Sequence, residues 1–230
     1  MSIHSFQSRL LTLLLALTFS NVSASTFRSS QSTINYGESC TLTWSSTASE
    51  AYMSGVGRVP GKGSIKVAPE APTDYILVTN TGKHIEYITL HIDVTGLKGL
   101  EQYPDPDDFH PGMREEKKTS YVEFLTKVTT TLQKSFAYHV RGLHMPTDRF
   151  FLMYTNWAVQ QKMILPTDKG IRRRQVAYAV QVNEPKNGVV TFDVRALVQY
   201  QRMGESAWRT EEDSTINRIA EQNLEGSLEK

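Results

Sequence analysis

Apolar and polar residues alternate along two long stretches late in the chain, and the remaining sequence can be ordered around them. Val176, Tyr178, Val180 and Val182 alternate along the first. Val190, Phe192, Val194, Ala196, Val198 and Tyr200 alternate along the second. Side chains of a strand point to opposite faces with a period of two, so each stretch predicts a strand with one face turned to a core. Between them lies Asn183-Glu184-Pro185-Lys186-Asn187-Gly188. Proline blocks further ladder pairing, and Asn-Gly accepts the positive φ of a tight reversal, so residues 171–200 predict a long hairpin.

The pattern upstream changes period. Val122, Leu125, Val128, Leu132 and Phe136 recur at helical spacing, with Thr119 or Ser120 available as cap and Glu123 in the first turn. A strand is expected over 137–143, a turn at Pro146, Thr147 and Asp148, and a second strand over 150–161. The latter is apolar on both faces, which suits a central or covered strand. On an ideal strand Tyr154 and Trp157 fall on opposite faces, which argues against a joint stacking platform. Thr210 and Asp213 can form a capping box, with Glu211 and Glu212 in the first turn of a last helix. Its stripe is Ile216, Ile219, Ala220 and Leu224, and Gly226 is a stop. Residues 119–230 thus predict an α+β domain, an antiparallel sheet with flanking helices laid across one face.

Residues 25–95 read differently. Cys40, Leu42 and Trp44 alternate, as do Ile65 and Val67, Tyr75 and Leu77, and Ile88, Leu90, Ile92 and Val94. Gly55, Gly57, Pro60, Gly61, Gly63, Pro69, Pro72, Asn80 and Gly82 interrupt them. Short strands at this spacing predict an all-β sandwich. Residues 96–118 hold Gly96, Gly99, Pro104, Pro106, Pro111 and Gly112 among crowded charges and are expected to be a linker. Asp105, Asp107, Asp108 and His110 do not make a calcium loop, because the prolines break the alternating oxygen spacing such a loop needs.

Composition adds the compartment. The chain has 230 residues, 39% hydrophobic and 21% charged, which suits one large domain or two small ones. Its 25 basic and 24 acidic residues nearly cancel. No global field therefore favours nucleic acid or an anionic membrane, and any electrostatic partner must meet a local patch. Residues 1–24 carry Arg9 as their single charge, an apolar run from Leu10 to Phe19, and the small residues Val22-Ser23-Ala24. They are expected to be a secretory signal cleaved after Ala24. The run is shorter than the roughly 20 residues of a transmembrane helix, and no later segment reaches that length. The mature chain is therefore expected in the periplasm or at the cell surface, with no transmembrane segment. Cys40 is the only cysteine, so no internal disulfide is expected, and its alternation with Leu42 and Trp44 places it in the core.

Two resemblances follow from these residues. Gly37-Glu38-Ser39-Cys40-Thr41-Leu42-Thr43-Trp44 resembles the opening of a bacterial immunoglobulin-like module. The likeness continues through Gly55-Val56-Gly57, Val59, Gly63-Ser64, Val67, Pro69, Thr73, Tyr75, Leu77, Asn80 and Gly82, over residues 26–94. That family usually has an aliphatic residue where Cys40 stands. The resemblance implies an immunoglobulin-like β-sandwich acting as a spacer or adhesive unit. Residues 120–230 resemble the helix-grip domains of the lipoprotein C subunit of the outer-membrane β-barrel assembly machinery. Arg174-Gln175, Val180, Asn187-Gly188, Val190, Phe192, Val194, Trp208 and the final helix carry this likeness. That subunit is lipidated at a cysteine that this chain lacks.

Candidate chemistry is sparse. Lys169, Arg172, Arg173 and Arg174 form the densest positive patch. Guanidinium groups match phosphate or carboxylate in bidentate geometry, so this patch is the expected binding site, its alternative being a solvated strand start. Asp193 and Arg195 share one strand face and can pair. His139 and His144 have no serine or cysteine placed by motif to use them, and two histidines five apart lack the further ligands of a zinc site. No catalytic residue, metal or cofactor is expected. The sequence thus predicts an immunoglobulin-like sandwich followed by a helix-grip-like α+β domain in a non-enzymatic, exported cell-envelope protein of a Gram-negative bacterium. It would act as a protein-binding scaffold or adaptor for an envelope protein or an anionic envelope component. A carbohydrate or peptidoglycan-binding module and an enzyme with an unrecognised site are the alternatives.

Overall fold

The computed structural model describes residues 25–82, 84–96, 103–109, 114–145, 149–160, 170–211 and 214–229. The signal segment 1–24, Lys169, His110, the glycines at 99 and 112, the proline at 111, the turn 146–148 and the helix-start acids 212–213 lie outside them. The described chain is mostly β, with two sheets and two α-helices.

The first sheet runs β1 (Thr26–Ser29), β3 (Cys40–Met53), β5 (Thr73–Asn80), β6 (Ile85–Thr95) and β2 (Thr33–Asn35), with β4 (Gly57–Val67) also on β3. The β3–β4 register shifts between Ser45 and Glu50; before the shift β3 pairs with β1, and after it with β5. Phe27, Ile34, Cys40, Leu42, Trp44, Met53, Leu77 and Ile92 form one buried cluster. Cys40 is a free, buried thiol, and Trp44 donates its indole N–H to the Pro60 carbonyl at 2.7 Å.

The second sheet is ordered β13 (Arg209–Thr210), β12 (Val189–Arg202), β11 (Ile171–Asn183), β9 (Phe150–Thr155) and β8 (Val140–Met145). The expected hairpin forms. Lys186 and Val189 exchange two backbone hydrogen bonds of 3.0 Å around Asn187 and Gly188, at φ 54 and 75, the signature of a type I′ reversal. Its apolar row, Val176, Tyr178, Val180, Val182, Phe192, Val194 and Val198, packs under α1 (Tyr121–Thr130) and α2 (Ser214–Glu229), which lie on the same face.

Three features depart from the sequence reading. Arg114–Lys118, inside the expected linker, is strand β7, antiparallel to Val189–Asp193 of β12. The register leaves its charged side chains at a sheet edge, where solvent tolerates them, so no apolar alternation marks it. Second, α1 buries more than the single stripe that its period predicts, through Tyr121, Val122, Phe124, Leu125, Val128 and Thr129, while Glu123 stays exposed. Here Tyr52, Ile76 and Val78 of the first sheet join its core from one side and the second sheet from the other. Third, the strand expected over 150–161 is broken. Tyr154 pairs with Ala179 of β11, whereas Ala158 of β10 (Ala158–Val159) pairs with Val176, so the chain holds one extra residue at Asn156-Trp157. This bulge is held by the Thr155 hydroxyl, which accepts from the Tyr178 amide at 2.9 Å and donates to the Asn156 carbonyl at 3.0 Å.

Candidate functional site

The helices cover one face of the second sheet. The other face carries Leu143, Phe150, Leu152, Tyr154, Trp157, Ala177, Ala179 and Leu197 in a separate apolar cluster. The bulge creates this composition. It turns Trp157 to the side of Tyr154, so the two rings that an ideal strand would separate share one face.

Among the described residues only 103–109 crosses this face. Phe109 seats over the small side chains of Ala177 and Ala179. Asp105 caps a short 3-10 turn (Pro106–Asp108) by accepting from the Asp107 amide at 3.0 Å. Tyr103 meets Tyr154 edge to face at 5.9 Å between centroids, and the Arg141 guanidinium lies 3.8 Å above the Tyr103 ring.

A polar row adjoins the apolar field. Arg195 donates to the Gln181 side chain at 2.6 Å and to the Phe109 carbonyl at 3.2 Å, and lies 3.6 Å from Asp193. The expected Asp193–Arg195 pair therefore exists, and it also ties the 103–109 segment down. Burial pushes the Asp193 carboxyl above the usual carboxylate range, and the Arg195 and Arg114 guanidiniums pull against that. Beyond Arg141 a cleft of about 320 Å³ opens at the junction of the two sheets, lined by Ser54, Asp74, Tyr75, Tyr103, Gln133 and Arg141. Burial pushes the Tyr75 hydroxyl up to about 12, so it is a neutral hydrogen-bonding group at neutral pH. A second hollow of about 650 Å³ surrounds the hairpin turn between Arg114, Arg149, Asn183, Glu184, Lys186 and Thr191. There Arg149 pairs with Glu184 at 2.8 Å.

The arginine cluster is divided by the fold. Arg174 is 3% exposed and pairs with Glu211 at 3.0 Å. Arg173 donates to the Gln201 side chain at 2.8 Å and lies 4.9 Å from the centre of the Trp208 ring. Arg172 points into solvent. Lys169 lies outside the described residues. One of the three arginines is therefore an internal ion, one is half-buried, and one is a free surface charge.

Of the two histidines singled out in the sequence, His144 packs against an aromatic ring and His139 is exposed. His144 stacks on Tyr87 with centroids 3.5 Å apart, and burial lowers its pKa against an opposing pull from Glu184. The His139 amide is bound by the Asn156 side chain at 3.0 Å beside the bulge. Among the described residues no group of three or more His, Cys, Asp or Glu side chains is placed to hold a metal ion. No helix among them is long and apolar enough to cross a membrane. No protein-family model matches the chain, and no curated protein matches it in sequence.

The aromatic face was the part that sequence reasoning missed. The one signal available was Thr155-Asn156, polar residues with local hydrogen-bonding side chains in the middle of an apolar strand pattern.

Proposed function

We propose that this chain is a non-enzymatic, exported cell-envelope protein that acts as a protein-binding scaffold through the helix-free face of its second sheet. The observation that carries this reading is the shared placement of Tyr154 and Trp157 beside Leu152 and Leu197. Tyrosine and tryptophan supply large, rigid contact area at small entropic cost and are enriched at the centre of protein interfaces. The Arg195–Asp193 row and Gln181 provide a polar border with fixed geometry. In this reading the first sheet is an immunoglobulin-like module serving as spacer, and the second part is a helix-grip-like α+β domain. Residues 1–24 direct export and are removed, leaving a periplasmic or surface-associated chain.

The experiment is capture from crosslinked envelopes by wild type and by a Tyr154→Ala/Trp157→Ala variant that retains its circular dichroism. Proteins bound by wild type and lost by the variant support the reading, and an identical set of captured proteins contradicts it. The joint Tyr154–Trp157 face with the adjoining cleft at Tyr75 and Tyr103 also favours a second reading, a peptidoglycan or other carbohydrate site. Glycan in place of protein in the wild-type capture supports that alternative.

A further inference from the structure

At the end away from the Asn187-Gly188 reversal, the long hairpin closes in arginines set around apolar side chains. Ile171 pairs with Arg202 and Arg173 with Gln201, so Arg172 is the extra residue of a bulge, and its side chain is exposed. Beyond Arg202, the Glu205 amide donates to the Arg202 carbonyl at 3.2 Å, and Gly204 has φ 82. These are the features of a type II turn with Met203 at its outer corner. Met203 is 71% exposed. The Arg173 guanidinium lies 4.9 Å from the Trp208 ring centre and that of Arg202 lies 5.9 Å from the Tyr200 ring centre. Arg174 and Arg209 are paired with Glu211 and Glu205. Among the described residues Arg172, Arg173 and Arg202 have no carboxylate partner.

We propose that this tip docks on the surface of an anionic phospholipid bilayer, with Arg172 and Arg202 on lipid phosphates and Met203 entering the interfacial layer. The inference uses none of the residues of the aromatic sheet face and stands or falls apart from the function proposed for it. Three observations select a lipid surface over an acidic protein. The exposed group is small, two arginines and one methionine, whereas a stable protein interface takes roughly 800 Å² from each partner. An apolar side chain at the apex of a turn meets a favourable medium on entering the interface. Arginine beside an aromatic ring that is apolar at one end and polar at the other suits headgroup depth. The chain's near-zero net charge makes the attraction local, so it depends on these few residues.

The test is co-sedimentation with lipid vesicles, using protein whose N-terminus has been sequenced. Wild type is expected to sediment with phosphatidylcholine vesicles containing phosphatidylglycerol, not with phosphatidylcholine alone, and to be released as salt rises well past ~0.15 M. Each basic residue at an anionic surface is worth about five-fold, so Arg172→Gln/Arg202→Gln should lower partitioning about 25-fold. Met203→Ser should weaken binding while leaving its salt dependence. Lys62→Gln/Lys66→Gln, which removes equal charge from the first sheet, should change nothing. Each variant is checked for a wild-type melting midpoint. Absence of sedimentation with the anionic vesicles overturns the inference, as does equal partitioning of wild type and the double arginine variant. So does arginine-dependent binding that appears with polyglutamate and not with vesicles.

Discussion

Tyr52 and Thr129 stand 77 residues apart in sequence, and their hydroxyls meet at 2.7 Å in the core shared by the two sheets. Burial holds the tyrosine proton firmly, so the pair is a neutral hydrogen bond throughout the accessible pH range. The Met153 sulfur, 3.4 Å from Tyr52 and 3.5 Å from Thr129, is the other polar atom near them. Sulfur is a weak acceptor. Tyr52→Phe should therefore cost about 1–3 kcal/mol in urea unfolding, the range for leaving a buried hydroxyl under-satisfied. A change within error of zero would mean that the Thr129 hydroxyl is already satisfied elsewhere.

The same core bears on modularity. Fragment 25–95 would expose Tyr52, Ile76 and Val78, which are buried against α1 in the whole chain. Removing apolar cover costs roughly 25 cal/mol per Å². The intact chain should unfold in one transition, and the fragment, if it folds, at a lower midpoint. Equal midpoints for fragment and whole chain would show that the shared core adds no stability.

How much could be read from the sequence depends on how each feature is encoded. The hairpin 171–200 was legible because alternation persists through Val176–Val182 and Val190–Val198 and a turn dipeptide sits between. Helix α1 was legible by period, although its second covered side was not, since periodicity does not name the partner. Strand β7 was illegible because Arg114 to Lys118 are all charged and its pairing is specified by the open edge of β12. The aromatic face was illegible because one inserted residue reverses the side to which Trp157 points. The division of Arg172 from Arg174 was illegible because it rests on Glu211, far along the chain.

Arg174 and Arg172 should therefore behave differently although they are two positions apart. Arg174→Gln leaves the Glu211 carboxylate facing a neutral side chain in a buried site, which costs roughly 3–5 kcal/mol. Arg172→Gln at an exposed bulge should change stability by less than about 0.5 kcal/mol. Chemical unfolding of the two variants checks the contrast. Equal costs would contradict the burial of the Arg174–Glu211 pair.

Asp193 gives the sheet a pH signature. The groups facing it are Arg195 on its own strand, Gln181 on β11 and Arg114 on β7. Its native pKa is raised, burial outweighing the two guanidiniums, so the native state holds this proton to higher pH than the unfolded chain does. The stability this contributes is complete below the unfolded value near ~3.9 and is lost as pH rises through the raised native value. Relative to Asp193→Asn, wild type should gain stability as pH is lowered from neutral toward that value. Urea midpoints of both proteins across this range provide the measurement, and a pH-independent difference would contradict the assignment.

The central claim is that the helix-free face of the second sheet meets a protein partner. The most direct measurement is site-specific photo-crosslinking in living cells, with a photoreactive residue placed at Leu197 on that face or at Lys62 on the exposed side of β4. The account predicts a discrete protein adduct from Leu197 that disappears when Trp157→Ala is added, and none from Lys62. No protein adduct from Leu197, or the same adduct from both positions, would contradict it.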